Sequence, residues 1–491
     1  MKIIFDLIKK QAIGLIITFG SLMLVFFLHR IHVFDTFELK VIDLSFKTRG
    51  PLSGWAARSP ISKDSLDVVL VDIDDESYRL VPWTWPYPRE VWGDVVKNLS
   101  KAGAKVIVFD IQFDSPDRQS EYLKDIRSNL QSRGMSELLP AHGDSVFSEA
   151  ITEAQSNGTD VILATKLVQE PTRMPPQYIQ YPNIILQGSN PDYGLVNEGP
   201  DKDGFSRQYY TFLQLEQEPG VFFPTLGLKA IQRYLNIPEE TIPRLNENGT
   251  ILHYGPLKIP MFSIDGRFLV NIYGPASGVN IGDNEAWKTF NRYPLSNIVD
   301  VPDVDLNDFD EDTDWMSQFL PGEIPKWIQD IEDPITRSQL MKELGIGFDF
   351  DITNSPFYNK IVMIGVSVEV LHDFKQTSFF TFAGEQNLMP GMEFHANAIQ
   401  TLLDQNFISV YGQDISWTEE SRIPHILLIT GLSIIAFFII SFLSPGLAGI
   451  SIIIEILLFV SIAIGSFTND SLWLVKILIG KWESINVSDI N

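Results

Sequence analysis

At 491 residues with 45% hydrophobic and 12% aromatic content, the chain is long enough for two or three domains and apolar enough for a large buried core, which excludes a disordered polypeptide. Its 37 basic and 62 acidic residues leave a net charge of −25 with no basic stripe, so repulsion from phosphates argues against nucleic acid as a partner. The absence of cysteine excludes disulfides, thiolate metal sites and cysteine nucleophiles, and fits a bacterial envelope protein.

In chain order, residues 1–10 form a short N-terminus carrying Lys2, Lys9 and Lys10. QAIGLIITFGSLMLVFFL, from Gln11 to Leu28, follows without a charge, and at ~1.5 Å per residue it covers roughly 27 Å, enough for a bilayer core. A cleaved signal peptide is the rival reading, but HRIHVFDTFELK lacks a small-residue cleavage site, so a retained transmembrane helix over 11–29 is expected. The flanking lysines, set against Arg30 alone, place the N-terminus in the cytoplasm and residues 30–422 outside, periplasmic in a cell with two membranes. Residues 424–443 and 446–467 are two more apolar spans separated by Ser444 and Pro445, predicting a tight hairpin. The tail, 468–491, contains SLWLVKILIG, too short to cross and interrupted by Lys476, so an interfacial helix is expected there. By parity the C-terminus is expected outside, with no output domain after it. These signals predict a multi-pass protein of the bacterial inner membrane, with the bilayer and other membrane or envelope proteins as partners.

The outer region alternates strands and helices. Asp67 to Ile73 and Lys105 to Ile111 read as buried strands, with a helix over Glu90 to Ala102 between them. Asp160 to Leu167 and Lys360 to Val366 repeat the strand signature, and Met392 to Leu403 follows as a helix. The fold class expected is α/β, a mostly parallel sheet flanked by helices, with a more β-rich insertion over 206–275 and transmembrane helices besides. From Asp300 to Asp351 there are 15 acidic residues against Lys326, Arg337 and Lys342, a net of −12, so 300–355 reads as a solvated acidic insertion that contributes little to the core. The run DFDEDTDWMSQF from Asp308 alternates acids as a calcium loop does, but it lacks the glycine at position 6 and the glutamate at position 12.

The segments FELKVIDLSFKTRG, VVLVDIDDESY, WTWPYPRE, AGAKVIVFDIQFDSP, GLVNEGPDKDGFSRQYY, KIVMIGVSVEVLHDF and PGMEFHANAIQTLL, in that order, resemble the type-2 CHASE extracellular sensor domain. The resemblance covers about residues 35 to 410. It implies a bacterial signal-sensing domain outside the membrane, usually joined through following helices to a cytoplasmic cyclase, kinase or phosphodiesterase.

Ligands of parallel sheets bind beyond the C-terminal strand ends, where Asp72, Asp74 and Asp110 fall, with Asp373 in the loop after a third strand. Arg89 opens a helix where it can grip a carboxylate or an anion, and His395 near the start of the last outer helix can join as an acid–base group. Asp203 and Arg207 lie in the polar turn DKDGFSR, whose default reading is a turn. The bland alternative joins Asp72, Arg89 and Asp203 in one buried ion-pair network that fixes loop geometry. A small-molecule ligand or self-association fits such a domain; no nucleophile elbow, phosphate loop, zinc motif or cofactor motif points to an enzyme. Glu455, mid-span in SIIIEILLF, is expected to be protonated and bonded to Thr430, Ser433, Thr18 or Ser21, or to engage a partner helix. The leading reading is a membrane-anchored sensor or binding module acting through partners; the other is a structural scaffold of an envelope complex that docks through the acidic insertion.

Overall fold

The computed structural model describes residues 35–473, apart from 55–60, 136–137, 139–140, 248, 263–264, 279–286, 308–313, 347–349, 372, 411–422 and 471, and five isolated positions between 12 and 23. The predicted first span therefore lies outside the described residues but for those isolated positions.

A seven-stranded sheet organises the outer region. Its strands are β1 (Val68–Ile73), β2 (Val106–Gln112), β3 (Asp160–Gln169), β4 (Gln177–Gln180), β5 (Asp192–Leu195), β6 (Asn291–Pro294) and β7 (Ile361–Val366). The order is β6–β1–β7–β2–β3–β4, with β5 also on β3, and every pairing is parallel except β3 with β4. The sheet is thus mixed, parallel at its centre and antiparallel at one edge. The predicted strands and the two predicted helices are all present. β6 was not foreseen, because NRYP carries neither alternation nor a β-branched run and is a four-residue edge strand.

Strand periodicity divides the core in two. Val68 and Leu70 of β1, Val106 and Val108 of β2 and Ile361 and Met363 of β7 point into one hydrophobic cluster; Val69, Val71, Ile107, Phe109, Val362 and Ile364 point into the other. Helices cover both faces. On the second face lie α2 (Arg89–Lys101) and α3 (Gly143–Ser156), with Val91, Trp92, Val95, Leu99, Phe147 and Ile151 buried at helical spacing. On the first lie α1 (Asp35–Arg49), α4 (Leu226–Tyr234) and α5 (Gly391–Asp404). The segment 206–275 is β-rich, as expected, but α4 within it is a layer of the main core, with Leu226, Leu228 and Ile231 fully buried.

The acidic insertion departs from expectation. Met316 is fully buried and Leu320 nearly so in the second cluster, and Trp315 and Phe319 pack edge-on against Phe357. Asp300 and Asp314 are buried, the other described acids are exposed, and the apolar residues between them plug the sheet's β6 edge, so residues 315–320 belong to the core. Only the helix Pro334–Leu344 stands clear, with no buried residue. The first half of the calcium-loop run, 308–313, lies outside the described residues, and Asp314 spends a carboxylate oxygen on the Lys326 backbone N–H at 2.7 Å.

After α5 come α6 (Ile423–Phe442) and α7 (Pro445–Asp470), turning at Ser444. Among the described residues, one stretch is long and apolar enough to cross a membrane, Gly446–Phe467 within α7. Of Ser471 to Gly480 only Leu472–Trp473 is described. It is a short strand parallel to Ser409–Val410, extended rather than the expected interfacial helix.

Burial here makes a direct forecast. Met316→Ala is expected to lower the stability of the outer region by about 2–5 kcal/mol in a denaturant titration, the usual range for emptying a filled core site. Replacing Pro334–Leu344 with a Gly/Ser linker is expected to shift the same midpoint by less than about 1 kcal/mol.

Candidate functional site

The site is built where α5 meets the C-terminal ends of three strands. By parity Asp72 continues the Val68–Leu70 face of β1 and Asp110 the Val106–Val108 face of β2, so both carboxylates point toward α5. Between them lies β7, whose Gly365 pairs with Asp72. A Cβ on Gly365 would sit 2.6 Å from Met392 Cβ, so glycine is what lets the first turn of α5 settle on the sheet. Gly391 has the same role on the other side, since its N–H donates to the Asp373 carbonyl at 2.9 Å and a side chain there would strike the Asp373 carboxylate. From Gly391 to Leu402 every α5 residue is buried, so its polar side chains must find partners inside the protein.

Two charged clusters flank Gly365. On the β1 side Asp72, fully buried, pairs with Arg292 of β6 and accepts a 2.7 Å hydrogen bond from Ser367. Arg292 also donates to the Ser277 carbonyl at 2.6 Å. Glu393 of α5 accepts from the Ser277 N–H at 2.9 Å and from its hydroxyl at 2.8 Å. One guanidinium thus serves two buried carboxylates. Burial pushes Asp72 up to about 6 and Glu393 up to about 7, against the partial relief of Arg292.

On the β2 side stand Asp110, Glu198, Asp373, Lys375, Tyr209 and His395. Lys375 pairs with Glu198 and lies 3.3 Å from Asp373. The Gly227 N–H donates to the Tyr209 hydroxyl at 3.0 Å, and the same hydroxyl is hydrogen-bonded to His395 Nδ1 at 2.5 Å. His395 Nε2 faces Asp110 at 3.8 Å, beyond hydrogen-bond reach. Burial pushes Asp110 up to about 7, reinforced by Asp373, and raises Glu198; burial also lowers His395. Glu198 Oε2 is buried without a hydrogen-bond partner among the described residues.

A third cluster surrounds Arg207, which is 1% exposed and donates to Asp43 at 2.8 and 2.7 Å, Asp201 at 2.9 Å, and Asp203 at 3.0 and 2.9 Å. The run DKDGFSR is a turn, with Gly204 at φ +85°, and also the cradle that ties α1 to the body through Asp43.

The single network of Asp72, Arg89 and Asp203 does not form. Arg89 opens α2 on the opposite face of the sheet, where it meets Asp144 at 3.3 Å and the Ser115 carbonyl at 3.1 Å and stacks 4.6 Å over Phe113. Asp74 caps the helix Asp75–Leu80, accepting from Ser77 N–H at 2.7 Å. Of the predicted site residues, Asp110, Asp373 and His395 meet, while Asp72, Asp203 with Arg207, Arg89 and Asp74 serve separate clusters. Sequence reading missed Glu198, Lys375, Arg292 and Glu393. Glu393 shares a helical turn with His395; the others are brought in by tertiary contacts alone. Among the described residues Glu455 makes no hydrogen bond or ion pair, and the expected bond to Ser433 is absent; Thr18 and Ser21 lie outside the described residues. Two open depressions, of about 500 Å³ beside Leu66 and Asp404 and about 540 Å³ beside Gly322 and Arg337, lie away from the carboxylates. Among the described residues no group of three or more acidic or histidine side chains is arranged to hold a metal.

Comparison with known families finds the CHASE2 domain, the family that the ordered segments of the sequence resemble, over residues 19–438. The chain belongs to the CHASE2 domain family. Comparisons with curated proteins and with solved structures find no match. CHASE2 domains are extracellular, sensor-type domains, a sensory rather than a catalytic family. The clusters around α5 are accordingly candidates for sensing rather than for turnover.

Titration of the CHASE2 core has a defined sign. Asp72, Glu393 and Asp110 hold protons more tightly folded than unfolded, so their stabilising effect is complete below the unfolded value near ~4 and is lost as pH rises through about 6 to 7. Unfolding midpoints are expected to fall between pH 5 and pH 8. Arg292→Ala is expected to cost about 3–5 kcal/mol at pH 8, where it strands Asp72 as an anion, and much less at pH 5.

Proposed function

We propose that this CHASE2 protein is a multi-pass membrane sensor, anchored by 11–29, 424–443 and 446–467, with residues 30–422 outside the cytoplasmic membrane of a bacterium. Its outer domain responds at the clusters around α5 and passes the change through helices to membrane or envelope partners. The observation that carries this reading is the position of Arg49. At the end of α1 its guanidinium donates to Asn271 Oδ1 at 2.6 Å and to the Ile272 carbonyl at 2.9 Å. It also lies over the rings of Phe46, at 4.8 Å, and of Phe467 in the apolar helix α7, at 5.5 Å. Asn271 in turn gives its N–H to Thr401 of α5 at 3.1 Å, and the Tyr273 N–H reaches Asn397 at 2.8 Å. One side chain thus touches the juxtamembrane helix, the segment 271–273 that grips α5, and the apolar helix.

The same contacts support the topology. The end of α7 returns to the side where α1 lies, as expected if the first span leads outward and the α6–α7 pair goes in and out. The scaffold alternative draws on the helix Pro334–Leu344, which has no buried residue and sits among the acids of the insertion. It uses the same anchoring.

Two experiments test the proposal. A reporter active only in the cytoplasm, fused after Gly274, is expected to be silent, and strong activity there would reverse the orientation. Arg49→Ala is expected to raise amide exchange in α1 about tenfold while α3 is unchanged, because α1 loses its polar clamp and keeps only part of its apolar face. Unchanged exchange in α1 would remove Arg49 as the link.

A further inference from the structure

We propose that the stimulus read by the β2-side cluster is the proton, bound between Asp110 and Glu198 against His395, so that external pH sets how firmly α5 is seated. This deepens the sensor reading above and rests on it for its consequence at the membrane.

The charges do not balance in that cluster. Asp110 enters from β2, Glu198 from the segment after β5, Asp373 and Lys375 from the strand segment before α5, and His395 from α5 itself. With His395 neutral, three carboxylates face one ammonium. Tyr209 supplies no charge and is hydrogen-bonded to His395 Nδ1. The neighbouring carboxylates cannot share the burden, since Asp201 and Asp203 are consumed by Arg207 and Glu393 and Asp72 by Arg292, Ser277 and Ser367.

Asp110 is the pivotal member. Its side chain is 9% exposed, and among the described residues it accepts no hydrogen bond. A carboxylate left with so little water and no protein donor is disfavoured unless neutralised. Lys375 is paired with Glu198 and lies against Asp373, so it relieves Asp110 only in part. A divalent cation would have to displace the ammonium lodged between those two carboxylates, whereas a proton needs no space. Burial and Asp373 place the Asp110 titration at about 7. Glu198, raised by burial and holding an unpartnered oxygen, is the second acceptor.

The mechanical consequence follows from position. With Asp110 neutral, the first turn of α5 rests on β2 and β7 without repulsion. When the proton leaves, the Asp110 anion joins Glu198 beneath the first turn of α5, with the half-exposed Asp373 at the rim; the hold of α5 on the sheet is weakened, and α5 reaches Arg49 through Asn397, Thr401, Asn271 and Ile272. Low pH therefore seats α5 and high pH loosens it.

Amide exchange of the full chain in lipid nanodiscs, corrected for the intrinsic pH dependence of exchange, tests this between pH 5.5 and 8.5. The expected result is a fall of at least tenfold in protection of α5 as pH rises, with a midpoint near neutrality. Asp110→Asn, alone or with Glu198→Gln, is expected to remove most of the α5 transition and leave the smaller part that Asp72 and Glu393 carry, whereas Glu393→Gln is expected to leave the larger part in place. An unchanged transition in the double variant overturns the proposal, as does a wild-type α5 that ignores pH. Calcium at millimolar concentration protecting α5 at pH 8 as well as acid does would also overturn it, by assigning the cluster to a cation. If α5 responds through Asp110 but α1 stays silent, proton binding stands and the membrane-sensor reading fails. If α5 ignores pH while Arg49→Ala still frees α1, the sensor reading survives and the proton proposal falls.

Discussion

The close contact of α5 with the central strand β7 is the constraint on which the rest depends. At Gly365 the sheet offers no side chain, and Met392 fills the space a Cβ would take. With the helix pressed onto the middle strand, its first turn lands between the two strands that carry Asp72 and Asp110, and Glu393 and His395 are carried into the protein. A larger residue at 365 would lift the helix and let water reach all four groups. The low dielectric that perturbs these acids is therefore a consequence of backbone proximity at one glycine.

Placing charge in this interior has an energetic logic. Further along α5 the polar groups find partners: Asn397 reaches Tyr273, Thr401 reaches Asn271, and Gln400 accepts from the Asp67 N–H at 3.1 Å. These bonds hold the sides of α5. Two of the buried atoms without a hydrogen-bond partner among the described residues, Asp72 Oδ1 and Glu198 Oε2, sit on either side of its first turn. Buried groups left short of partners destabilise the seated state locally, and such a site can be moved by a small change in charge. The CHASE2 core is thus firmest along the helix and most easily perturbed at its start.

At the opposite end the packing joins α1 both to the body and to α7. Leu39, Ile42 and Phe46 of α1, spaced at i, i+3 and i+7, lie in the first core cluster, and Asp43 beside them is held by Arg207. Phe46 meets Phe467 edge-on at 5.1 Å, and Arg49 covers both rings. A helix fixed to the body by a charge-assisted fork and to the apolar helix by aromatic contact moves as one piece with whichever side is displaced.

Much of this was legible in the sequence because it rests on local pattern. Alternating apolar runs in VVLVDI, VIVFDI and IVMIGV mark strands whatever surrounds them, and the same parity puts Asp72 and Asp110 on one face, since side chains of a strand alternate by geometry. Apolar length alone marks Gly446–Phe467. The composition of 300–355 misled, because charge dominates an average while Met316 and Leu320 decide where the chain is buried. The partners of the charged groups were decided by tertiary structure alone. Arg89 and Asp72 are close in sequence yet lie on opposite faces, because the chain passes from strand to helix between them. Arg207 joins Asp43 from 164 residues away, and Arg292 reaches Asp72 from a strand with no sequence signature. Pairing of charges depends on distance and burial in space, and local periodicity carries no record of which strands the chain will lay side by side.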